Sequence, residues 1–376
     1  MNITVIGLDI AKQIFHLVGL DATGKKVIKK TLRRTKLLEY FANLKPCIIG
    51  MEGCASSHYW ARELGKLGHQ VKLLPAQYVK PYVRGNKNDY NDALAIAEAS
   101  RIPEMREVRP KTVEQQSIQA LHRLRRGAVG DRTKLCNQVR GLLAEFGIII
   151  NQGISSLRKK IPEILEDAEN ELHWIFRDAL ALKYQQLRQL DTLVDELTTF
   201  IEKEAKQHPQ IKQLQSIPGF GAIVASTFFS IIGDGTAFKK GRDVSASLGL
   251  VPRQHSSGGK NTLLGISKRG DKYLRSLLVH GARSVVNHAH KKDDVLSLWV
   301  TRLVNTRGKN KATVALANKL ARIAWAVTTS RKPYQNKLCS LAKEVNRTKL
   351  NNFARDNRND DNIGKTDILK PAFSEG

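Results

Sequence analysis

Cysteine is scarce in this chain. The four present, Cys47, Cys54, Cys136 and Cys339, are scattered and form no Cys-x-x-Cys pair. That spacing argues against a zinc site or a disulfide framework and fits a reducing cytoplasm. No run of about 18 apolar residues occurs, which excludes a membrane-spanning helix. The N-terminus carries no signal-peptide pattern. There is no glycine-rich loop after the first apolar run. The segment there is Asp9-Ile10-Ala11-Lys12, which cannot cradle a pyrophosphate as a doubly wound dinucleotide fold requires. The phosphate-binding glycine hairpins of an actin-like ATPase are likewise not evident. Acidic residues are few, 35 Asp and Glu against 62 Lys and Arg, for a net charge of +27. Such a field attracts polyanions. Nucleic acid is the commonest of them in a cell, and an acidic membrane surface is the alternative.

What is present is a globular composition, with 41% hydrophobic residues in a chain of 376, enough for two or three domains. The charge is uneven. Residues 260–349 hold 20 Lys and Arg against 4 Asp and Glu, so more than half the excess lies in under a quarter of the chain.

Apolar periodicity predicts strands over 3–10, 15–20, 27–32, 47–51 and 70–74, with a turn at 21–25 and helices over 35–43 and 57–67. A further helix opens at Asp89. Three meandering strands followed by alternating helix and strand is the ribonuclease H-like order of an α/β fold. Residues 112–145 read as a basic helix. Its Arg123, Arg125 and Arg126 are candidate phosphate contacts, and a solvated helix face is the plainer reading. Along a long helix over 170–206, Phe176, Leu180, Leu187, Leu190, Val194, Leu197 and Ile201 follow steps of three and four, with Lys183 interrupting. This is a heptad seam. It fits a hairpin packed on its own domain as well as a dimerising coiled coil.

A new apolar pattern begins after Pro209. Leu214 to Gly221 resembles the turn of a helix-hairpin-helix, in which Gly219 and Gly221 present backbone N–H groups to a phosphate. Further helices are expected over 271–285 and 311–328. These readings divide the chain into an α/β domain with a basic helical extension over 1–150 and a helical coiled-coil segment over 151–206. A mostly α-helical domain follows over 207–335, then a polar tail over 336–376 that is too poor in apolar residues to pack.

Four carboxylates stand out. Asp9 closes the first apolar run, Glu52 closes Cys47 to Met51, and Asp89 and Asp92 open a helix with one turn between them. Singly, each reads as a turn or cap residue, and Asp89 could be an N-cap. Together, in ribonuclease H-like order, they make a hard-oxygen site for one or two Mg²⁺ ions, with Mn²⁺ as the alternative. Two such ions stabilise both the attacking and the leaving oxygen of a phosphodiester. The second constellation is His255-Ser256-Ser257-Gly258-Gly259-Lys260, followed by Lys268, Arg269, Lys272 and Arg275. By composition this is a flexible turn. A serine on such a loop, beside those cations, could also attack a phosphodiester.

At these residues the chain resembles a known family. Gly7-Leu8-Asp9-Ile10-Ala11-Lys12, Glu52-Gly53, Asn88-Asp89-Tyr90-Asn91-Asp92-Ala93, Ile217-Pro218-Gly219-Phe220-Gly221, Gly249-Leu250-Val251-Pro252 and Ser257-Gly258-Gly259 occur in the order found in DEDD transposases of insertion sequences. These are the bridge-RNA-guided recombinases, with a RuvC-like domain and a C-terminal transposase domain. The resemblance runs from residue 1 to about residue 330. It implies that Asp9, Glu52, Asp89 and Asp92 bind metal and that Ser257 is the nucleophile that links transiently to DNA. Ser256 also fits the local pattern. It implies donor and target DNA and a structured noncoding guide RNA as partners. It further implies a homo-oligomer, dimer or tetramer, with the serine loop and the RuvC-like domain forming a composite site, in a bacterial cytoplasm at the nucleoid. The rival readings are a Holliday-junction nuclease that uses the carboxylates alone and a non-enzymatic nucleic-acid-binding protein.

Overall fold

The computed structural model describes residues 2–86 and 88–336. The polar tail beyond Asn336 lies outside the described residues. The chain divides into two compact units. One runs to Thr199 and includes Thr227–Ala237; the other comprises Phe200–Ser226 and the chain from Phe238 onward. The division falls inside a helix at 199/200, and residues 151–199 lie in the same unit as the sheet.

In the first unit, β1 (Val5–Ile10), β2 (Ile14–Leu20), β3 (Lys26–Arg33), α1 (Leu37–Ala42), β4 (Ile48–Glu52), α2 (Ser57–Lys66), β5 (Gln70–Leu74), a short α3 (Ala76–Val79) and α4 (Asp89–Ser100) follow in order. The sheet order is β3-β2-β1-β4-β5. The first three strands are antiparallel, and β4 and β5 run parallel to β1. Side chains alternate along a strand with a period of two. Ile6, Leu8, Phe15, Leu17, Ile49, Met51 and Leu73 face one side with Leu37 and Phe41 of α1 and Trp60 and Leu64 of α2. Val5, Val18 and Leu20 face the other side and pack on Ala93 and Ala97 of α4.

Helices α5 (Val113–Ala144), α6 (Ile154–Glu166) and α7 (Trp174–Gln207) come next. Thr112 and Gln115 close a reciprocal capping box at the start of α5. The heptad seam of α7 is satisfied within the chain. Leu180 and Leu187 pack with Leu135, Val139, Leu157 and Ile161 of α5 and α6, and Val194 and Leu197 pack with Ala128. On another face of α7, Ile175, Leu182 and Leu193 remain exposed. Asp191 of α7 joins the three helices electrostatically. It accepts from Arg132 Nη1 at 2.9 Å and from Arg158 Nε at 2.7 Å. Helix α6 lies within the span expected to be helical, whereas nothing in the residue pattern marked these ion pairs.

The second unit holds α8 (Pro209–Leu214), the start of α9 (Ala222–Ile232), α10 (Gly241–Ser247), the hairpin β6 (Pro252–Gln254) and β7 (Leu263–Ile266), α11 (Lys272–His288), α12 (Val295–Arg307) and α13 (Lys309–Ser330). Leu274, Leu278, Ala282, Val300, Leu316, Leu320 and Ala324 are buried in this helical unit. No helix among the described residues is long and apolar enough to cross a membrane.

Candidate active site

Strand periodicity decides where the N-terminal carboxylates point. Asp9 shares the parity of Val5 and therefore lies on the α4 face of β1. The last registered pair between β1 and β4 is Leu8 with Met51, so Asp9 and Glu52 follow it side by side at adjacent strand ends. This is how two carboxylates 43 positions apart in the sequence become neighbours.

Two glycines let α4 come close enough to meet them. A Cβ at Gly7 would collide with the Ala93 carbonyl oxygen, and one at Gly50 would collide with Ser100 Oγ. The helix opens on Asn88, whose side chain accepts from the Tyr90 N–H at 2.9 Å. Asn88, not Asp89, is the N-cap. The Asp89 carboxylate is thus free of capping and sits one turn before Asp92.

Asp9, Asp89 and Asp92 each offer an oxygen, and these lie within 4.8 Å of one another. Glu52 is outside that triangle, although the Asp92 charge acts on it. Burial first, and then Asp92, push the Glu52 carboxyl up. The effect on Asp9 is larger. Burial and then the charges of Asp92 and Asp89 raise its pKa from 3.8 to about 6, with Glu52 adding and His16 opposing. The charges of Asp92 and Asp89 disfavour ionised Asp9, and a hard divalent ion among them would offset that repulsion. The donor set is all oxygen, so the residues fit such an ion.

His16 was missed in the sequence. It is the registered partner of Asp9 across β1 and β2, and its Nδ1 lies 3.4 Å from Asp89 Oδ2. Counting back through the tight β1–β2 connection would have placed residue 16 opposite residue 9.

The serine segment is an exposed hairpin turn. Gly258 and Gly259 have φ of +54° and +77°, the left-handed pair that a two-residue hairpin turn requires. The Lys260 N–H donates to the Ser257 carbonyl oxygen at 3.0 Å. Ser256 Oγ accepts from Gln254 Nε2 at 3.0 Å and from the Thr262 N–H at 3.3 Å. Ser257 Oγ has no hydrogen-bond partner among the described residues. The two serines are therefore not equivalent: one is tied into its hairpin and the other is free.

Of the basic residues, Lys260, Lys268, Arg269, Lys272, Arg123 and Arg126 are exposed. Two others have structural commitments that the sequence did not reveal. Arg125 Nε donates to Thr198 Oγ1 at 2.7 Å, between α5 and α7. Arg275 Nη1 donates to the carbonyl oxygens of Leu248 and Arg269, at 3.0 and 2.6 Å. Gly219, with φ of +83°, seats the turn against α11, where a Cβ would lie 2.7 Å from the Gly281 carbonyl oxygen. Gly221 stands in open space.

Residues 6–148 match a DEDD transposase family, and residues 211–295 match the family described as Transposase IS116/IS110/IS902. A probable family 20 transposase of Pseudomonas aeruginosa is 43% identical over 336 residues, covering 89% of this chain and 99% of that one. The transposase for insertion sequence element IS1111A of Coxiella burnetii is 42% identical over 334 residues, covering 89% and 92%. A pilin gene-inverting protein of Moraxella lacunata is 24% identical over 361 residues, covering 90% and 99%.

Proposed function

The chain belongs to the insertion-sequence transposases of the IS116/IS110/IS902 family, enzymes that cut and rejoin DNA, and on that premise we propose that it exchanges DNA strands through a serine–DNA intermediate at a Mg²⁺-dependent site. The observation that carries this reading is the convergence of Asp9, Asp89 and Asp92 within 4.8 Å. Asp9, Asp89 and Asp92, with Glu52 beside them, would hold the ion. When bound, it stabilises the charge that develops on the phosphodiester oxygens.

Ser257 Oγ attacks the phosphorus, the bond to the leaving deoxyribose oxygen breaks, and that oxygen departs as a hydroxyl. A hydroxyl of the incoming strand then attacks the same phosphorus and releases the serine. One phosphoester replaces another at each step, so no nucleotide cofactor is consumed. Lys260, Lys268, Arg269 and Lys272 supply positive charge around the exposed turn. Ser257 is favoured over Ser256 because its hydroxyl is not engaged. A gene-inverting relative is in keeping with rejoining, since inversion preserves the DNA.

The strand order β3-β2-β1-β4-β5 supports a ribonuclease H-like reading of the first unit. The basic surface suits a guide RNA, because pairing by such an RNA leaves the protein mainly backbone and shape to read. The exposed Ile175, Leu182 and Leu193 on α7 support assembly into a homo-oligomer. Sequencing the RNA that co-purifies with the protein tests the guide. One discrete noncoding species with segments complementary to two DNA sites supports it, and unselected cellular RNA counts against it.

A further inference from the structure

Asp89 is the least restrained of the carboxylates. It opens α4, its side chain is 60% exposed, and Asn88 has taken the capping role. A ligand with that freedom must be held if it is to meet an ion in one orientation. The group beside it is His16. Its side chain is 18% exposed, and its Nδ1 stands 3.4 Å from Asp89 Oδ2. That Nδ1 is shielded from solvent and makes no hydrogen bond among the described residues.

The imidazole plane is itself fixed. The Tyr90 ring meets it edge to face at 4.9 Å. Tyr90 is fixed in turn by a 2.6 Å hydrogen bond between its hydroxyl and Thr31 Oγ1 and by Lys29 Nζ, 4.3 Å over its ring. Strands β2 and β3 thus grip the first turn of α4 through side chains, and within that grip His16 Nδ1, with no hydrogen-bond partner among the described residues, lies beside the Asp89 carboxylate.

We propose that His16 is a positioning residue: its Nδ1–H donates to Asp89 and holds that carboxylate in its metal-ligating orientation. Closing 3.4 Å to an ordinary N–H···O distance of about 2.9 Å takes a small rotation of the exposed carboxylate. The acceptor opposite Nδ1 selects the tautomer. A neighbour that orients a metal ligand changes metal affinity by about 10- to 100-fold when removed. The inference rests on the carboxylates being the metal site, and the test separates the two.

Mn²⁺ binding to the full chain without nucleic acid is measured by calorimetry for the wild type and for His16→Leu, His16→Asn and Asp9→Asn. Leucine fills the space without a donor, whereas the asparagine amide nitrogen stands near the position of Nδ1. The expected result is that His16→Leu weakens binding about 10- to 100-fold with an unchanged melting temperature, while His16→Asn restores most of the affinity. Equal binding by His16→Leu and the wild type, with Asp9→Asn impaired, overturns the role of His16 and leaves the metal site standing. Equal impairment in His16→Leu and His16→Asn assigns His16 to packing. Unimpaired binding by Asp9→Asn removes the metal site itself, and the inference with it.

Discussion

Gly7 and Ala93 touch backbone to side-chain position. The Ala93 carbonyl oxygen of α4 occupies the space where any Cβ on residue 7 of β1 would stand. The contact sets the height of α4 over the sheet, and so brings Asp92, one residue before Ala93, to Asp9, two residues beyond Gly7. Gly7→Ala must push the helix away. It should destabilise the first unit by about 1–3 kcal/mol or more, and metal-dependent DNA cleavage should be lost. Gly127→Ala, on a helix face with nothing within 4 Å, should be neutral or stabilising by up to about 1 kcal/mol. Chemical denaturation of both variants, with a nicking assay, checks the pair.

The crowding at Asp9 predicts a stability change of unusual sign. Its folded pKa of about 6 lies above the ordinary 3.8, so the metal-free fold binds the proton more tightly than the unfolded chain does. Ionised Asp9 therefore weakens the fold above about pH 6, and the penalty is relieved as pH falls toward 4. Asp9→Asn should raise metal-free stability at pH 7.5 by about 1 kcal/mol, less than the full displacement would give because Asp9 is partly solvated. The gain should vanish near pH 4. Mg²⁺ should raise the melting temperature of the wild type and not of the variant.

Asp191 predicts the opposite sign. Burial alone would raise its pKa, but hydrogen bonds from Arg158 and Arg132, with their charges, outweigh that and lower it. The stabilisation is complete above the unfolded carboxylate value and is lost as pH falls through the lower folded value. Asp191→Asn should cost about 2 kcal/mol at pH 7, because Arg132 is left largely buried without its partner. The difference from wild type should disappear at the acid end of a urea series run at several pH values.

Nucleic-acid affinity should fall steeply with salt. Arg123→Ala should reduce the slope of log affinity against log salt by about one and weaken all sequences alike. Arg125→Ala should instead lower stability, since its Nε is used inside the unit by Thr198. Salt titrations of binding and melting curves separate the two effects.

Much of this arrangement was legible in the sequence, for physical reasons. The strand over 70–74 was bounded by composition as it is in the fold. The helices over 112–145 and 170–206 announced themselves through long apolar periods. The close of each apolar run put Asp9 and Glu52 at strand ends, and the expected strand order gave a reason for those ends to meet. What was hidden depended on tertiary contact. The seam of α7 could not say whether its partner was α5 and α6 or a second chain. Nothing local marked Gly7 and Gly50 as the seats of α4, or His16 as the neighbour of Asp89. Ser256 and Ser257 are indistinguishable as letters, and only the hairpin shows that one hydroxyl is already engaged.

The proposed strand exchange requires a covalent bond between Ser257 and DNA, made in the presence of metal. The most direct measurement incubates the protein, its co-purified RNA and labelled insertion-sequence ends with Mg²⁺. Denaturing electrophoresis and peptide mapping of any protein–DNA adduct follow. An adduct should form on the peptide carrying Ser257, and EDTA, Asp9→Asn and Ser257→Ala should each abolish it while Ser256→Ala does not. Strand exchange by Ser257→Ala at the wild-type rate, with Asp9→Asn inactive, would contradict that requirement and leave a nuclease that works through its carboxylates alone.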